Sequence, residues 1–387
     1  PEILEQWKNQ KNTIERLEAT KKSLQAEKQE LETSLQQKMD ELAPLKRDLT
    51  ELENLREHNA RLQGQYDFIY AELKRLQTTR QSDLERWIND IEAPSRQFED
   101  IVEPVFEKDL NEIDWLEQIY QDFLDYGFKW PKRILYAFHT SLKIRDWSPI
   151  TVLAGVSGTG KSKLPQLYGL FGGINFYSVA VQPNWDSQQS MLGFFNSLEN
   201  KFDATPMLKL LAQSQKPWSE DYPGLNQTQT IILLDEMNLA HIELYFADFL
   251  SKLEQRRGKA IDEPPILEIQ LGPGHTYTLP LGNNVLWTGT MNQDETTKSL
   301  SDKVLDRGVV IYFPRPKVLE RIIEQKPAPN PRAPLHRQNF DAWTQEKSPF
   351  SSKQISDFKT LVEKINDNLA NVGRALGHRV WQSIEHY

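Results

Sequence analysis

An apolar, β-branched run, Pro149-Ile-Thr-Val-Leu-Ala154, passes directly into Gly155-Val-Ser-Gly158-Thr159-Gly160-Lys161-Ser162. Few arrangements satisfy that order: a buried strand, a glycine-rich turn, then the first turn of a helix. The glycines let backbone amides curl around phosphate oxygens while the following helix turns its positive amino end toward them. Gly155, Gly158, Thr159, Gly160, Lys161 and Ser162 are therefore the candidate nucleotide-binding residues. Lys161 is placed to meet the β- and γ-phosphates, and Ser162 to offer a hydroxyl to Mg²⁺. A decorative glycine-rich turn is the competing reading, and its position between strand and helix argues against it.

Three further stretches extend the site. Thr230-Ile-Ile-Leu-Leu-Asp235-Glu236 reads as a buried parallel strand ending in two acids. Asp235 is expected to hold Mg²⁺ together with Ser162, and Glu236 to polarise the water that attacks the γ-phosphate. Asn284-Val-Leu-Trp-Thr-Gly-Thr-Met ends in Asn292, an amide able to orient water without taking its proton. Arg307, after Lys303-Val-Leu-Asp and before the strand Val309 to Phe313, is the candidate for an arginine finger that reaches a neighbouring subunit's γ-phosphate. A surface Arg–Asp pair is the alternative for it.

These residues resemble the AAA+ superfamily, and more narrowly the McrB family of restriction-system motor subunits. The resemblance rests on Gly155 to Ser162, on Asp235-Glu-Met-Asn238-Leu-Ala, on Val181-Gln-Pro-Asn-Trp185-Asp-Ser with Leu192-Gly-Phe-Phe-Asn, and above all on Tyr277-Thr-Leu-Pro-Leu-Gly-Asn-Asn-Val-Leu-Trp-Thr-Gly-Thr-Met-Asn292. It covers roughly residues 115 to 387. It implies a small hairpin before the strand ending in Met-Asn, a hexameric ring, hydrolysis of GTP, and a McrC-like nuclease partner through which nucleic acid is engaged. One departure is visible: Glu295 stands where the family has aspartate, with Asp294 beside it. Nothing in the phosphate loop reads the base, so GTP and ATP both stay open. A nucleotide-switched scaffold and a MoxR-like or dynein-like protein-remodelling ATPase are the alternative functions.

The first ninety residues obey a different rule. Ile14, Lys21, Lys28, Leu35, Leu42 and Leu49 step by seven, as do Leu17, Leu24, Leu31, Lys38, Leu45 and Leu52, giving the two rows of a coiled-coil seam with three lysines in it. Beyond Leu52 the rows shift by the equivalent of three inserted residues, which overwinds a supercoil locally. Unbroken, about 85 helical residues at 1.5 Å each reach roughly 130 Å. Pro44 lacks a helix-interior amide, so a kink or break is expected near Glu41 to Pro44, with two helices folded back as a further option.

The expected organisation is a coiled coil over 1–91, a helical lead-in over 92–145, an α/β AAA+ P-loop NTPase core with a parallel sheet flanked by helices over 146–325, and a linker with a small helical lid over 326–387. Trp115, Leu116, Ile119, Tyr120 and Phe123 mark one buried face of the lead-in, and Pro314, Pro316, Pro327, Pro329, Pro331 and Pro334 mark the linker. In the lid Arg379, or less favourably Arg374, is the candidate that closes on phosphate. Trp185 is divided between a pore-facing loop and the core, Phe194 and Phe195 are assigned to the core, and His241 and His378 to packing or surface.

Composition supplies exclusions. With no cysteine there is no disulfide, thiolate metal site or cysteine nucleophile, which fits a reducing cytoplasm. No run approaches the roughly 18 apolar residues of a membrane span, and the net charge of −9 argues against bulk nucleic-acid binding by the whole chain. Pro1 in place of Met, and a helical pattern still running at Tyr387, suggest a piece of something longer whose missing ends could carry targeting signals.

Overall fold

The computed structural model describes residues 2–257, 263–292, 300–315, 332–344, 350–373 and 375–387. The chain divides into two compact units, residues 1–81 and 82–387. The first is a single helix, and α1 runs without interruption from Glu2 to Glu92. The break expected at Pro44 does not occur. A proline removes one hydrogen bond, at about 3 kcal/mol, and the flanking turns of Leu, Glu, Lys and Gln are strong enough helix formers to carry the helix past it. The seam residues are exposed along the unit, from Ile14 and Leu17 to Leu73.

The second unit takes the last turns of α1, whereas the sequence pattern assigns the helix to the coiled coil as far as residue 91. Trp87 and Ile91 are buried there. Glu92 accepts a hydrogen bond from Tyr222 at its backbone carbonyl (2.8 Å), and its carboxylate pairs with Lys216 (2.5 Å). Asp90 pairs with Lys209 at 2.7 Å.

The centre is a five-stranded parallel sheet of β1 (Ile150–Gly155), β2 (Asn175–Ala180), β3 (Thr230–Asp235), β4 (Val285–Asn292) and β5 (Gly308–Tyr312), in the order β5-β1-β4-β3-β2. Neighbouring side chains on a strand point to opposite faces, and the inner strands are apolar on both. Ile150, Val152, Ile232, Leu234, Val285 and Trp287 enter one core; Leu153, Ile231, Leu286 and Ile311 enter the other. That two-faced burial explains why the sequence shows runs rather than alternation.

One face is covered by α2 (Glu112–Asp125), α3 (Lys132–Lys143) and α4 (Lys163–Gly172), joined by Phe340 and Trp343. Asn111 starts α2 by accepting from the Ile113 and Asp114 amides, and Trp115, Leu116, Ile119 and Phe123 form its buried face. The imidazole of His139 on α3 lies between Glu112 and the Tyr168 hydroxyl, at 2.8 and 2.7 Å. The other face packs the end of α1, α5 (Pro206–Gln213), α6 (Ala247–Glu254) and two hairpins, Gly193–Asn196 with Lys201–Ala204 and Ile266–Gly272 with His275–Pro280. The second hairpin precedes β4 as the resemblance implies. Two helices, α7 (Ser352–Ala370) and α8 (His378–His386), end the chain.

Two side chains sit differently from, or decide between, the expectations. Phe194, assigned to the core, is exposed, because its position in the four-residue strand points outward while Phe195 turns in against Trp87. Trp185 is buried edge-on to Tyr245, so core packing is the reading that holds. Of the linker prolines, Pro316, Pro327, Pro329 and Pro331 lie outside the described residues. No described helix is long and apolar enough to cross a membrane.

Candidate active site

In a parallel sheet every strand delivers its carboxyl end to the same edge, and the loops there collect side chains from distant parts of the chain. β1 ends at Gly155 and opens into the phosphate loop, with φ of +153° at Gly155, +77° at Gly158 and +86° at Gly160. Those values lie in the region that favours glycine and let the loop coil back on itself before α4 begins. The Lys161 ammonium is drawn inside that coil, donating to the carbonyls of Gly155 (3.1 Å) and Val156 (2.8 Å). Thr159 donates its hydroxyl to the Val156 carbonyl at 3.0 Å.

A residue the sequence reading missed braces the loop from outside. The Trp130 indole N–H donates to the Thr159 carbonyl at 3.2 Å, and its ring lies where a Cβ on residue 160 would be, 2.7 Å from the nearest ring carbon. Glycine at 160 is thus required by both backbone angle and space. Trp130 precedes Pro131 in the turn between α2 and α3, some thirty positions ahead of the loop, and no local pattern connects the two.

β3 and β4 deliver the polar half. Asp235 Oδ1 accepts from the Ser162 hydroxyl at 2.7 Å and from the Thr290 hydroxyl at 2.5 Å. Thr290 in turn accepts from the Glu236 amide at 2.8 Å. Its place one strand over, between two residues of the β4 apolar run, left it unnoticed in the sequence. Glu236 has a φ of +54°, unusual for a residue with a side chain, and its carboxylate accepts from the Asn292 side-chain amide at 3.2 Å. Asn238 donates to the Asn292 carbonyl at 3.1 Å. Lys161, Ser162, Asp235, Glu236 and Asn292, predicted separately, converge on one edge of the sheet.

Ser162 and Asp235 present hard oxygen ligands already in hydrogen-bonding distance, a pair that fits Mg²⁺ when other ligands come from phosphate and water. Among the described residues there is no group of three or more His, Asp or Glu that could hold a metal by itself.

The two arginines lie elsewhere. β1 and β5 run in register, Ile150 beside Gly308, so Arg307 stands at the amino edge of the sheet. The five steps from Ile150 to Gly155, at about 3.3 Å each, separate it from its own phosphate loop by roughly 17 Å. Arg307 Nε is 2.8 Å from Glu254 Oε2, and Arg379 Nη2 is 3.3 Å from Glu254 Oε1. The structure therefore brings Arg379 to Arg307, through a glutamate the sequence reading did not single out, and not to the phosphate loop. His241 and His378 are exposed. Arg374, Asp294 and Glu295 lie outside the described residues.

No family model matches the chain. Among curated proteins there is no match. Among solved structures, a protein of Cytophaga hutchinsonii described as a "putative ATPase" is 17% identical over 52% of this chain, with a TM-score of 0.30; the match spans about half, 52%, of that protein's length.

Proposed function

We propose that this chain is a Mg²⁺-dependent nucleoside-triphosphatase of the AAA+ type, McrB-like, whose active site is completed by a neighbouring copy in a ring, with a hexamer expected from the resemblance. The observation that carries the proposal is the junction of Ser162, Asp235 and Thr290 beside Lys161, at adjacent ends of β1, β3 and β4. A phosphate-binding loop and an acidic strand end joined in this way hold a triphosphate and its metal.

Roles follow from position. The loop amides and Lys161 bind the phosphates, while Ser162 and Asp235 hold Mg²⁺, with Thr290 fixing the Asp235 carboxylate. The metal, when bound, screens charge on the β- and γ-phosphate oxygens. Glu236 orients and polarises the attacking water, and Asn292, bonded to Glu236, aims that carboxylate and reads the γ-phosphate. Arg307, too far from its own loop, serves the adjacent copy, where its charge offsets that developing in the transition state. A McrC-like nuclease partner acting in nucleic-acid restriction or antiphage defence is what the resemblance adds. A cytoplasmic setting agrees with a cysteine-free chain.

The test is steady-state phosphate release with Mg²⁺ and GTP or ATP over a range of protein concentrations. Turnover per chain should rise with concentration. Lys161→Ala should abolish nucleotide binding, and Glu236→Gln should keep binding and lower turnover by about a hundredfold or more. Full turnover in Glu236→Gln removes its assigned role. Turnover per chain independent of concentration sinks the shared site. The preferred nucleotide decides between GTP and ATP.

A further inference from the structure

At the amino edge of the sheet, one carboxylate is shared by two guanidiniums from distant parts of the chain. Glu254, the last residue of α6, gives Oε2 to Arg307 and Oε1 to Arg379. Its side chain is the least exposed of the three, at 17% against 24% and 44%. A third guanidinium, Arg257, is close enough to feel all three. Burial lowers its pKa first, the positive charges of Arg379 and Arg307 lower it further, and Glu254 opposes them. One negative charge thus stabilises three positive ones.

We propose that Glu254 is a positioning residue for the shared active site: it holds Arg307 in the pose that reaches a neighbouring copy's phosphates and ties the terminal helix to that arginine through Arg379. This inference rests on the proposed function above. Arg307 has little else to fix it, since its Nη1 reaches the Lys303 carbonyl only at 3.4 Å. An arginine side chain has four rotatable bonds, and the ionic contact of Nε with the Glu254 carboxylate, made without a hydrogen bond from Nε, limits where those bonds carry the guanidinium. Without Glu254 the same guanidinium would be repelled by Arg257 and Arg379 and would spread over many rotamers.

The other oxygen gives the contact its second consequence. Arg379 lies in α8, and the far end of α8 is seated as well, with His386 stacked on Trp147 at 3.8 Å between ring centroids and 15° between planes. Trp147 also receives the Arg257 guanidinium, which donates to its carbonyl. The seat of α8 and the anchor of Arg307 are therefore one cluster, so a shift of the lid helix is transmitted to the arginine through a single carboxylate.

A mixing experiment separates the effects. Copies carrying Lys161→Ala lack a working site but donate Arg307; copies carrying Arg307→Ala keep the site but donate nothing. Mixed in equal amounts, the two should recover turnover that neither has alone. The donor is then given Glu254→Ala or Glu254→Gln in addition, with its thermal unfolding midpoint checked against the parent donor. We expect the Glu254→Ala donor to restore at least about tenfold less turnover than the parent donor, with KM for nucleotide unchanged because the working sites are untouched, and Glu254→Gln to fall between. If the Ala donor does not fold, the Gln donor carries the same test against the same parent. Equal restoration by parent and Glu254 donors overturns the proposal and leaves the shared site standing. Failure of the parent mixture, where the unmutated chain turns over, overturns the shared site and this proposal with it.

Discussion

His139 is 2% exposed, and its two nitrogens have different partners. A carboxylate cannot donate, so Nε2 carries the proton toward Glu112 and Nδ1 accepts from the Tyr168 hydroxyl, which fixes the tautomer of the neutral ring. Burial lowers its pKa below the ordinary 6.5, against the opposing pull of Glu112. A histidine whose folded pKa is depressed binds protons more weakly than in the unfolded chain, so its stabilisation is fully present above pH 6.5 and is lost as the pH falls below that. Thermal midpoints measured from pH 8 to pH 5.5 should therefore decline on the acid side, and His139→Gln should reduce that decline. His336 and His386, also lowered by burial, account for part of the remaining slope. A pH profile identical in His139→Gln and the parent contradicts this. At this scale the sequence made some site residues legible and hid others. Lys161, Ser162 and Asp235 stand in local patterns whose spacing is itself the chemistry. Thr290, Trp130 and Glu254 are ordinary residues that matter only because folding carries them beside a partner 55, 29 or 53 positions away.

Elements were legible in proportion to how local their causes are. The strands β1, β3 and β4 and the face of α2 follow from runs and periodicity, and they appear where the pattern puts them. Pro44 misled because one missing amide was weighed without the many favourable turns on either side. The docking of the last turns of α1 was invisible, since Trp87 and Ile91 meet their partners only across the fold. Trp87 stands edge-on to Phe195 and His275, at 5.5 and 6.2 Å between centroids. Truncating Trp87 to Ala should lower unfolding stability in urea by about 3–5 kcal/mol, while the same change at Trp7, 65% exposed, should alter it by less than about 0.5 kcal/mol. Equal effects at the two positions would show that Trp87 does not anchor the helix end.

For the whole molecule, the seam of residues 14–73 is exposed, and we propose a second copy as the partner that covers it, because its residues step in heptads. Lysines at seam positions 21, 28 and 38 weaken such pairing, so replacing all three with leucine should shift self-association to lower concentration by about tenfold or more in sedimentation measurements. An unchanged association curve would show that the seam is not the contact. The sheet raises a different question. The phosphate loop lies at one edge and Arg307 at the other, so under the proposed shared site a copy that uses its neighbour's arginine leaves its own for the next. That is a head-to-tail relation, which repeats until the rotation between copies closes it into a ring, or continues as a filament if it never does. A two-stranded coil obeys a two-fold axis instead. A molecule built from both would carry two symmetries that need not agree, and the number of copies would be settled where they are reconciled.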